Sequence, residues 1–186
     1  MGRCEALGLA ACAMLAACTR PEPSATVAAT IAATADGTKL GTVRFRDSVY
    51  GLLVEPDLHG MAPGPHAAHV HEKGSCAPSG GNGPSAGHES TPGHGEMTMG
   101  GEAGAHFDPK GTGRHSGPYG DGHLGDLPDL IVEADGTSTI PMLAPRLKAA
   151  DLRGHALILH GGPDHYLDGA DHAHAMGART YCGVIG

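Results

Sequence analysis

The chain has 186 residues and a formal net charge of −8, and its length is sufficient for one ordinary domain with a packed core. The acidic balance excludes a generic nucleic-acid-binding protein, which would present a basic face. The chain contains 31 glycines and 14 prolines but no tryptophan and only two phenylalanines, a composition that argues against a helical bundle and favours many short strands joined by loops.

The beginning of the chain has the pattern of a targeting segment. Arg3 precedes an apolar run, residues 6–17, that is too short to span a bilayer. The run ends in Leu-Ala-Ala-Cys18, which resembles the lipobox of bacterial lipoproteins, whose cysteine carries the lipid after cleavage. An ordinary secretory signal with a chance cysteine is the alternative. The expected division of the chain is a lipoprotein signal peptide at 1–17, a tether with lipidated Cys18 at 18–25 and one domain at 26–186.

Short alternating segments predict about eight strands in this domain. They lie at residues 26–33, 39–45, 49–55, 67–71, 129–134, 137–140, 154–160 and 179–185. Asp36-Gly37 and Asp135-Gly136 are turn signals that predict hairpins, and Pro56 is expected to end the third strand. The strand count favours an all-β fold, an eight-stranded Greek-key sandwich or flattened barrel.

The cysteine count becomes simple once the targeting segment is set aside. Cys4 and Cys12 leave with the signal and Cys18 carries the lipid, so Cys76 and Cys182 remain. Two cysteines in an exported domain predict one disulfide, whereas free thiols are typical of the cytosol. The bridge would close a loop of roughly a hundred residues and would stabilise the domain by about 4 to 5 kcal/mol in the chain-entropy model.

A loop rich in glycine and proline, residues 105–126, gathers four metal-binding side chains. They follow the spacing H-x8-H-x7-H-x2-D and are His106, His115, His123 and Asp126. Three imidazoles and one carboxylate suit a closed tetrahedral zinc site. A solvated, histidine-rich surface loop is the alternative, because glycine-rich tracts often carry scattered histidines.

Further histidines fall on predicted strands. His69 and His71 share one face of a strand while Val70 faces the core, so the pair could form half of a copper site. An H-x-H pair alone is more often incidental. His160 ends another strand, where a buried structural histidine is the alternative. His66 is out of phase with His69 and His71 in the strand alternation. It is therefore expected to be a hydrogen-bonded residue of the core or of the layer that contacts the metal ligands.

The residue pattern extends over nearly the whole predicted domain. Its carriers are HAAHVHEKGSC at 66–76, AHFDP at 105–109, RHSGP at 114–118, GHLGDLP at 122–128, LH at 159–160 and GARTYCGVIG at 177–186. Together these motifs resemble the copper/zinc superoxide dismutases, and specifically their bacterial exported branch. The resemblance implies a Greek-key β-sandwich that closes into a flattened barrel with long metal-binding loops.

The resemblance also implies a ligand set for each metal. Copper would be bound by His69, His71, His106 and His160. Zinc would be bound by His106, His115, His123 and Asp126. His106 belongs to both sets and would be an imidazolate that uses both ring nitrogens, since two cations stabilise the loss of its proton.

Four other positions match residues with a role in the family. Asp164 matches the carboxylate that links His69 to His115. Arg179 matches the guanidinium that docks the substrate anion beside copper, and Lys73 matches a lysine that helps to steer the substrate. The implied disulfide joins Cys76 and Cys182, in agreement with the cysteine count.

The activity implied by the resemblance is the conversion of superoxide to oxygen and hydrogen peroxide by copper redox cycling, with Arg179 and His106 as catalytic residues. A chain of this kind would act in the bacterial cell envelope, as a periplasmic or surface lipoprotein, and is compatible with a homodimer. The only membrane contact expected is the lipid anchor.

Surplus donors motivate a different function. The enlarged segment 77–104 and the loop after Asp164 carry the additional side chains His88, His94, Met97, Met99, His165, His172 and His174. Imidazoles and thioethers could capture copper, so an envelope copper- or zinc-binding or copper-delivery protein on the same scaffold is the alternative. A disordered surface loop would explain segment 77–104 without any function. A zinc hydrolase would need an open coordination position, which four protein ligands do not leave.

Overall fold

The computed structural model describes residues 26–80, 97–166, 168 and 176–186. These residues form nine strands and two single-turn 3₁₀ helices. The strands are β1 Thr26–Ala33, β2 Lys39–Ser48, β3 Gly51–Leu58, β4 Gly64–His66, β5 Ala68–His71, β6 Leu130–Val132, β7 Met142–Ala144, β8 Ala156–His160 and β9 Arg179–Val184. The 3₁₀ helices are Gly101–Ala103 and Ala149–Asp151. Among these residues no helix has the length and hydropathy needed to cross a membrane.

Several sequence predictions concern residues outside the described ranges. They are the signal peptide at 1–17, the tether at 18–25 with Cys18, and the surplus donors His88, His94, His172 and His174.

Seven strands form one antiparallel sheet in the order β5-β8-β9-β1-β2-β3-β7, and β4 pairs with β6 in a second sheet. Buried and exposed side chains alternate along β1, so one face of the large sheet is directed to the core. The core consists mainly of aliphatic side chains, among them Ile31, Leu52 and Leu157, together with the rings of Phe45 and Tyr181. The predicted all-β class is confirmed.

The structure corrects the prediction in the middle of the chain. β3 continues through Pro56, which pairs with Val43 of β2. The other edge of β3 pairs with β7 only from Leu52 to Val54, so Pro56 lies where that edge has no partner strand and where a missing N–H is tolerated.

The predicted strand at 137–140 is also wrong. Ser138 exchanges two backbone hydrogen bonds with Leu58, and this single bridge does not extend into a strand. β7 was not predicted, because its three residues are too few to show a period of two. The Asp135-Gly136 turn itself is present, with Gly136 at φ 82°.

The loop that carries His106 and Asp126 is held on the open edge of β5. Backbone hydrogen bonds connect the Val70 N–H to the Gly125 carbonyl and the Phe107 N–H to the Val70 carbonyl. Isolated bridges pair His69 with Asp126 and His71 with His106. β5 therefore pairs with β8 on one side and with the loop on the other, which fixes the distance between the strand histidines and the donor side chains of the loop.

The predicted disulfide is confirmed. Cys76 and Cys182 are bonded, with their Cα atoms 5.7 Å apart, across 106 positions of sequence. The bridge fastens the segment that follows β5 to β9, the strand that begins at Arg179.

Candidate metal centre

Strands β5 and β8 bring three histidines to neighbouring positions. His69 pairs with Ile158, His71 pairs with Ala156, and His160 lies at the end of β8. The rings of His69 and His71 are inaccessible to solvent. The imidazole of His106 stacks on His69 with a centroid distance of 4.0 Å, so the loop covers the face that these strand histidines share.

One nitrogen of each strand histidine is held by an oxygen atom. The contacts are His69 Nε2 with Asp164 Oδ2 at 2.8 Å, His71 Nδ1 with the Gly104 carbonyl at 3.0 Å and His160 Nδ1 with the Gly177 carbonyl at 3.2 Å. Because these partners accept hydrogen bonds, the held nitrogen carries the proton and the other nitrogen carries a lone pair. That other nitrogen is buried without a hydrogen-bond partner in all three rings. Three unsatisfied lone pairs suit a metal ion.

His106 belongs to two compact groups of donor atoms. In each group all donor atoms lie within 4.8 Å of one another, and these are the two candidate metal groups among the described residues. The first group is His69, His71, His106 and His160, and the second is His69, His106, His115 and Asp126. Nδ1 of His106 contacts Asp126 Oδ1 at 3.0 Å, which leaves its Nε2 for the group of histidines.

The residues predicted to bind zinc gather around one carboxylate. Asp126 Oδ1 lies 3.0 Å from His106 Nδ1 and 3.4 Å from His123 Nδ1, and Oδ2 lies 3.1 Å from His115 Nδ1. His123 is outside the compact group and its side chain is 17% exposed, so it occupies the rim. Nitrogen and carboxylate donors at these positions fit zinc.

Asp164 connects the two groups. Its Oδ2 contacts His69 Nε2 at 2.8 Å and its Oδ1 contacts His115 Nε2 at 2.7 Å. The carboxylate is fixed in turn, because the Asp164 N–H donates to Asp129 Oδ1 at 3.0 Å and Oδ1 of Asp164 accepts the Tyr166 N–H at 2.9 Å. One side chain therefore orients a ring in each group.

Burial and local charge set the protonation of the site. Burial lowers the pKa of His160 to about 4 and keeps the pKa of His71 well below its ordinary value. Burial would raise the pKa of Asp126, but hydrogen bonds from three histidines outweigh it and hold that pKa far below the usual range. Neutral imidazoles and an ionised carboxylate are the forms that bind metals.

His115 has the opposite shift. Burial lowers its pKa, but hydrogen bonds with Asp126 and Asp164 and their negative charges outweigh burial and raise the pKa to about 10. The two carboxylates therefore favour a positive charge between them, which a metal ion would also supply.

Arg179 lies at the start of β9, beside the histidine group. Its Nη1 donates to the Gly100 carbonyl at 3.0 Å and its Nη2 donates to the Gly104 carbonyl at 2.9 Å. The same Gly104 carbonyl contacts Nδ1 of His71. Burial lowers the pKa of Arg179, yet a guanidinium stays charged at any physiological pH, so the site holds a fixed cation.

The remaining predicted residues have distinct positions. Lys73 is exposed, and its N–H donates to the Ala103 carbonyl at 2.9 Å, next to the segment that holds Arg179. His66 is buried, with its ring nitrogens 2.6 Å from the His160 carbonyl and 2.8 Å from the Ala62 carbonyl, as expected for a hydrogen-bonded core residue. His165 is exposed.

Sequence reasoning missed Arg146. Its guanidinium donates to four backbone carbonyls of the loop between the predicted zinc ligands, namely those of Gly117, Pro118, Gly122 and His123. No local motif marks this arginine, because its partners lie more than twenty positions away in the sequence.

Comparison with known proteins agrees with this geometry. The sequence model of the copper/zinc superoxide dismutase family matches residues 39–185. The copper/zinc superoxide dismutase of Haemophilus parainfluenzae is 44% identical over 154 residues, which are 81% of this chain and 76% of that protein. The enzyme of Photobacterium leiognathi is 40% identical over 150 residues, 80% of each chain.

Solved structures give the same result. The copper/zinc superoxide dismutase of Brucella abortus superposes with a TM-score of 0.74 and 35% identity, over 86% of this chain and 99% of that one. The monomeric enzyme of Salmonella enterica gives 0.68 and 38%, over 88% and 99%. The family model matches residues 39–185, and the two donor groups share His69 and His106, so the chain belongs to the copper/zinc superoxide dismutase family.

Proposed function

We propose that this chain converts two superoxide anions and two protons to oxygen and hydrogen peroxide. The observation that carries the proposal is that His106 lies in both donor groups with Nδ1 beside Asp126, which leaves Nε2 for the histidines and would couple a redox site to a structural one. One superoxide is oxidised to oxygen and the other is reduced to peroxide, so electrons balance within one cycle and no further reductant is needed.

Each donor group has its own task in this proposal. Copper would be held by His69, His71, His106 and His160, and zinc by His106, His115, His123 and Asp126. When bound, copper supplies one-electron exchange with superoxide, whereas zinc does not change oxidation state and fixes the loop. The contacts of Asp164 with His69 and His115 would keep both groups in register.

The chain's own side chains bind the anion and move the proton. Arg179 attracts superoxide and holds it beside the histidine group, since its guanidinium is fixed by two carbonyls. His106 takes up a proton at Nε2 and gives it to the reduced product, while Nδ1 stays directed at Asp126. Exposed Lys73 lies close to the same segment and adds positive charge along the approach.

The same proposal includes the location of the protein. Residues 1–17 would be a lipoprotein signal peptide, Cys18 would carry the lipid, and residues 18–25 would tether the domain at 26–186 to the envelope. The Cys76–Cys182 disulfide supports an oxidising compartment such as the periplasm or the cell surface. A homodimer is compatible with this function, because both donor groups come from one chain.

The test is metal content and superoxide turnover of the protein matured in an oxidising compartment. We expect copper and zinc in equal amounts together with turnover. His106→Gln should abolish turnover, because an amide cannot serve both groups, whereas the exposed His59→Gln should match the wild type. Turnover retained in His106→Gln would refute the shared ring. Copper binding without turnover in the wild type would instead favour a copper-delivery protein.

A further inference from the structure

The turn between β2 and β3 presents two apolar side chains to solvent. Val49 is 92% exposed and Tyr50 is 77% exposed, the highest values among the large hydrophobic side chains of the described residues. The turn is fixed by its own hydrogen bonds, because Ser48 Oγ donates to the Gly51 carbonyl at 2.7 Å and accepts the Tyr50 N–H at 3.2 Å. These contacts hold the pair outward, away from the core.

The turn lies at the end of the sheet where the chain enters. Thr26, the first residue of β1, pairs with Arg46 of β2, and β2 then continues to Ser48 and the turn. β1 therefore begins at the end of the sheet on which Val49 and Tyr50 project. Seven residues separate Thr26 from Cys18, and this connection spans at most about 29 Å.

A basic side chain is exposed at the same end. The short helix Ala149–Asp151 is fastened there, because the Ala149 N–H donates to Asp47 Oδ1 at 2.9 Å, two positions before Val49. Lys148, just before this helix, is exposed, and the neighbouring carboxylate of Asp151 accepts the Lys148 N–H at 2.9 Å. An ammonium group at the same end of the sheet as two exposed apolar side chains suits the boundary between anionic headgroups and acyl chains.

The copper ligands lie well away from this end. Ile158 pairs with both His69 and Cys182, and Cys182 pairs with Ala32 of β1. His69 is thus level with Ala32, six positions along β1 from Thr26, or roughly 20 Å in the strand direction. A surface that touches the turn leaves the histidine group open to the water phase.

We propose that the β2–β3 turn, through Val49 and Tyr50, contacts the lipid surface that carries the anchor at Cys18. The inference rests on the lipid-anchor part of the proposed function. Two side chains alone bind a membrane weakly, but the anchor makes the contact intramolecular and so raises its effective concentration. The contact orients the sheet end-on and keeps the approach to Arg179 free for an anion from solution.

The chain contains no tryptophan, so a single Tyr50→Trp substitution provides a unique fluorescent reporter. The full-length protein, matured in a host that processes bacterial lipoproteins, would be mixed with vesicles of phosphatidylethanolamine and phosphatidylglycerol with brominated acyl chains. Ala35→Trp is the matched control, because Ala35 is exposed in the β1–β2 turn at the opposite end of β1. We expect a blue shift and strong quenching for Tyr50→Trp and neither for Ala35→Trp.

Flotation of the same vesicles separates the two claims. If the protein floats but the two indoles are quenched equally or not at all, the turn does not touch lipid and the contact is refuted while the anchor stands. If the protein does not float, the anchor at Cys18 is refuted, and the contact that depends on it is refuted as well. Flotation with quenching confined to Tyr50→Trp supports both.

Discussion

The Gly104 carbonyl accepts hydrogen bonds from two side chains with different tasks. His71 contacts it through Nδ1 at 3.0 Å and Arg179 through Nη2 at 2.9 Å. Gly104 has φ 80° and ψ −151°, a conformation that residues with a side chain rarely adopt. The position of this carbonyl therefore sets both the orientation of a proposed copper ligand, His71, and the distance from that ring to the cation that would dock superoxide.

Arg179→Ala should lower superoxide turnover by roughly 10- to 100-fold, because it removes the fixed cation that attracts and docks the anionic substrate. Copper and zinc content should stay at the wild-type level, since Arg179 donates to carbonyls and to no ligand. Turnover and metal analysis on the same sample provide the check. Arg44→Ala is the control, because Arg44 is exposed on β2. Equal turnover in the two variants would contradict a docking role for Arg179.

Asp164→Asn tests the link between the groups. A carboxylate accepts from His69 and His115 at once, whereas an amide has one oxygen and would turn its NH₂ toward the other ring. We expect the affinity of at least one group for its metal to fall by roughly 10- to 100-fold, as measured by competition with chelators. Asp57→Asn, at an exposed position of β3, is the control. Wild-type affinity at both groups would show that the link is dispensable.

At the scale of elements, β5 is the strand on which the site depends. It contributes His69 and His71, pairs with β8 that contributes His160, and receives the loop backbone on its open edge. Regular backbone pairing within the sheet fixes the positions of the strand histidines. The loop ligands have no such frame beyond their bridges to β5, so additional contacts must hold the remainder of the loop.

Arg146 supplies those contacts, because its guanidinium spans four carbonyls of residues 117–123. Arg146→Lys keeps the charge but loses the planar fork, so we expect faster hydrogen exchange in this loop and zinc affinity lower by about tenfold. Hydrogen exchange with mass detection and zinc competition measure the two effects. Arg153→Lys, at an exposed position, is the control. Unchanged exchange in 117–123 would be inconsistent with this role.

The elements differ in how far the sequence predicts them. β1 alternates over eight residues and its predicted bounds, 26–33, are confirmed. β7 was not predicted, because three residues are too few to show the alternation of a strand. The strand predicted at 137–140 was wrong, because Ser138 forms only a single bridge. The proposed zinc set was predicted from the spacing of its donors and the proposed copper set from the family resemblance, whereas Arg146 acts through distant carbonyls and leaves no local signal.

At the scale of the whole molecule, the two donor groups connect the sheet to the loop. Without metal, these groups lower the free energy of unfolding. His69, His71 and His160 bury nitrogens without hydrogen-bond partners, which destabilises the metal-free fold. Metal binding removes this cost and stabilises the folded state, by about 4 kcal/mol at a free-metal concentration a thousand times the Kd. Stripping both metals should therefore lower the midpoint of unfolding, and the remaining stability should depend on pH.

The direction of that dependence follows from the pKa shifts. Burial holds the pKa of His160 at about 4 and those of His69 and His71 well below their ordinary value, so between pH of about 6.5 and 4 the unfolded chain binds more protons. Stability of the metal-free protein should fall as pH falls through this window. His115, with its pKa raised to about 10, stabilises the fold below pH of about 6.5, and this contribution is lost as pH rises toward 10.

Urea unfolding of chelator-treated protein at a series of pH values measures both the loss of stability on the acid side and the loss on the alkaline side. His160→Gln should flatten the acid limb, because it removes one of the buried groups that charges only on unfolding, whereas the exposed His59→Gln should leave the curve unchanged. The two carboxylates add to the acid limb only below their ordinary pKa of about 4, since hydrogen bonds to histidines hold the pKa of Asp126 and Asp164 lower than that. A metal-free protein whose stability rose from pH 6.5 to 4 would contradict the burial of neutral imidazoles in this site.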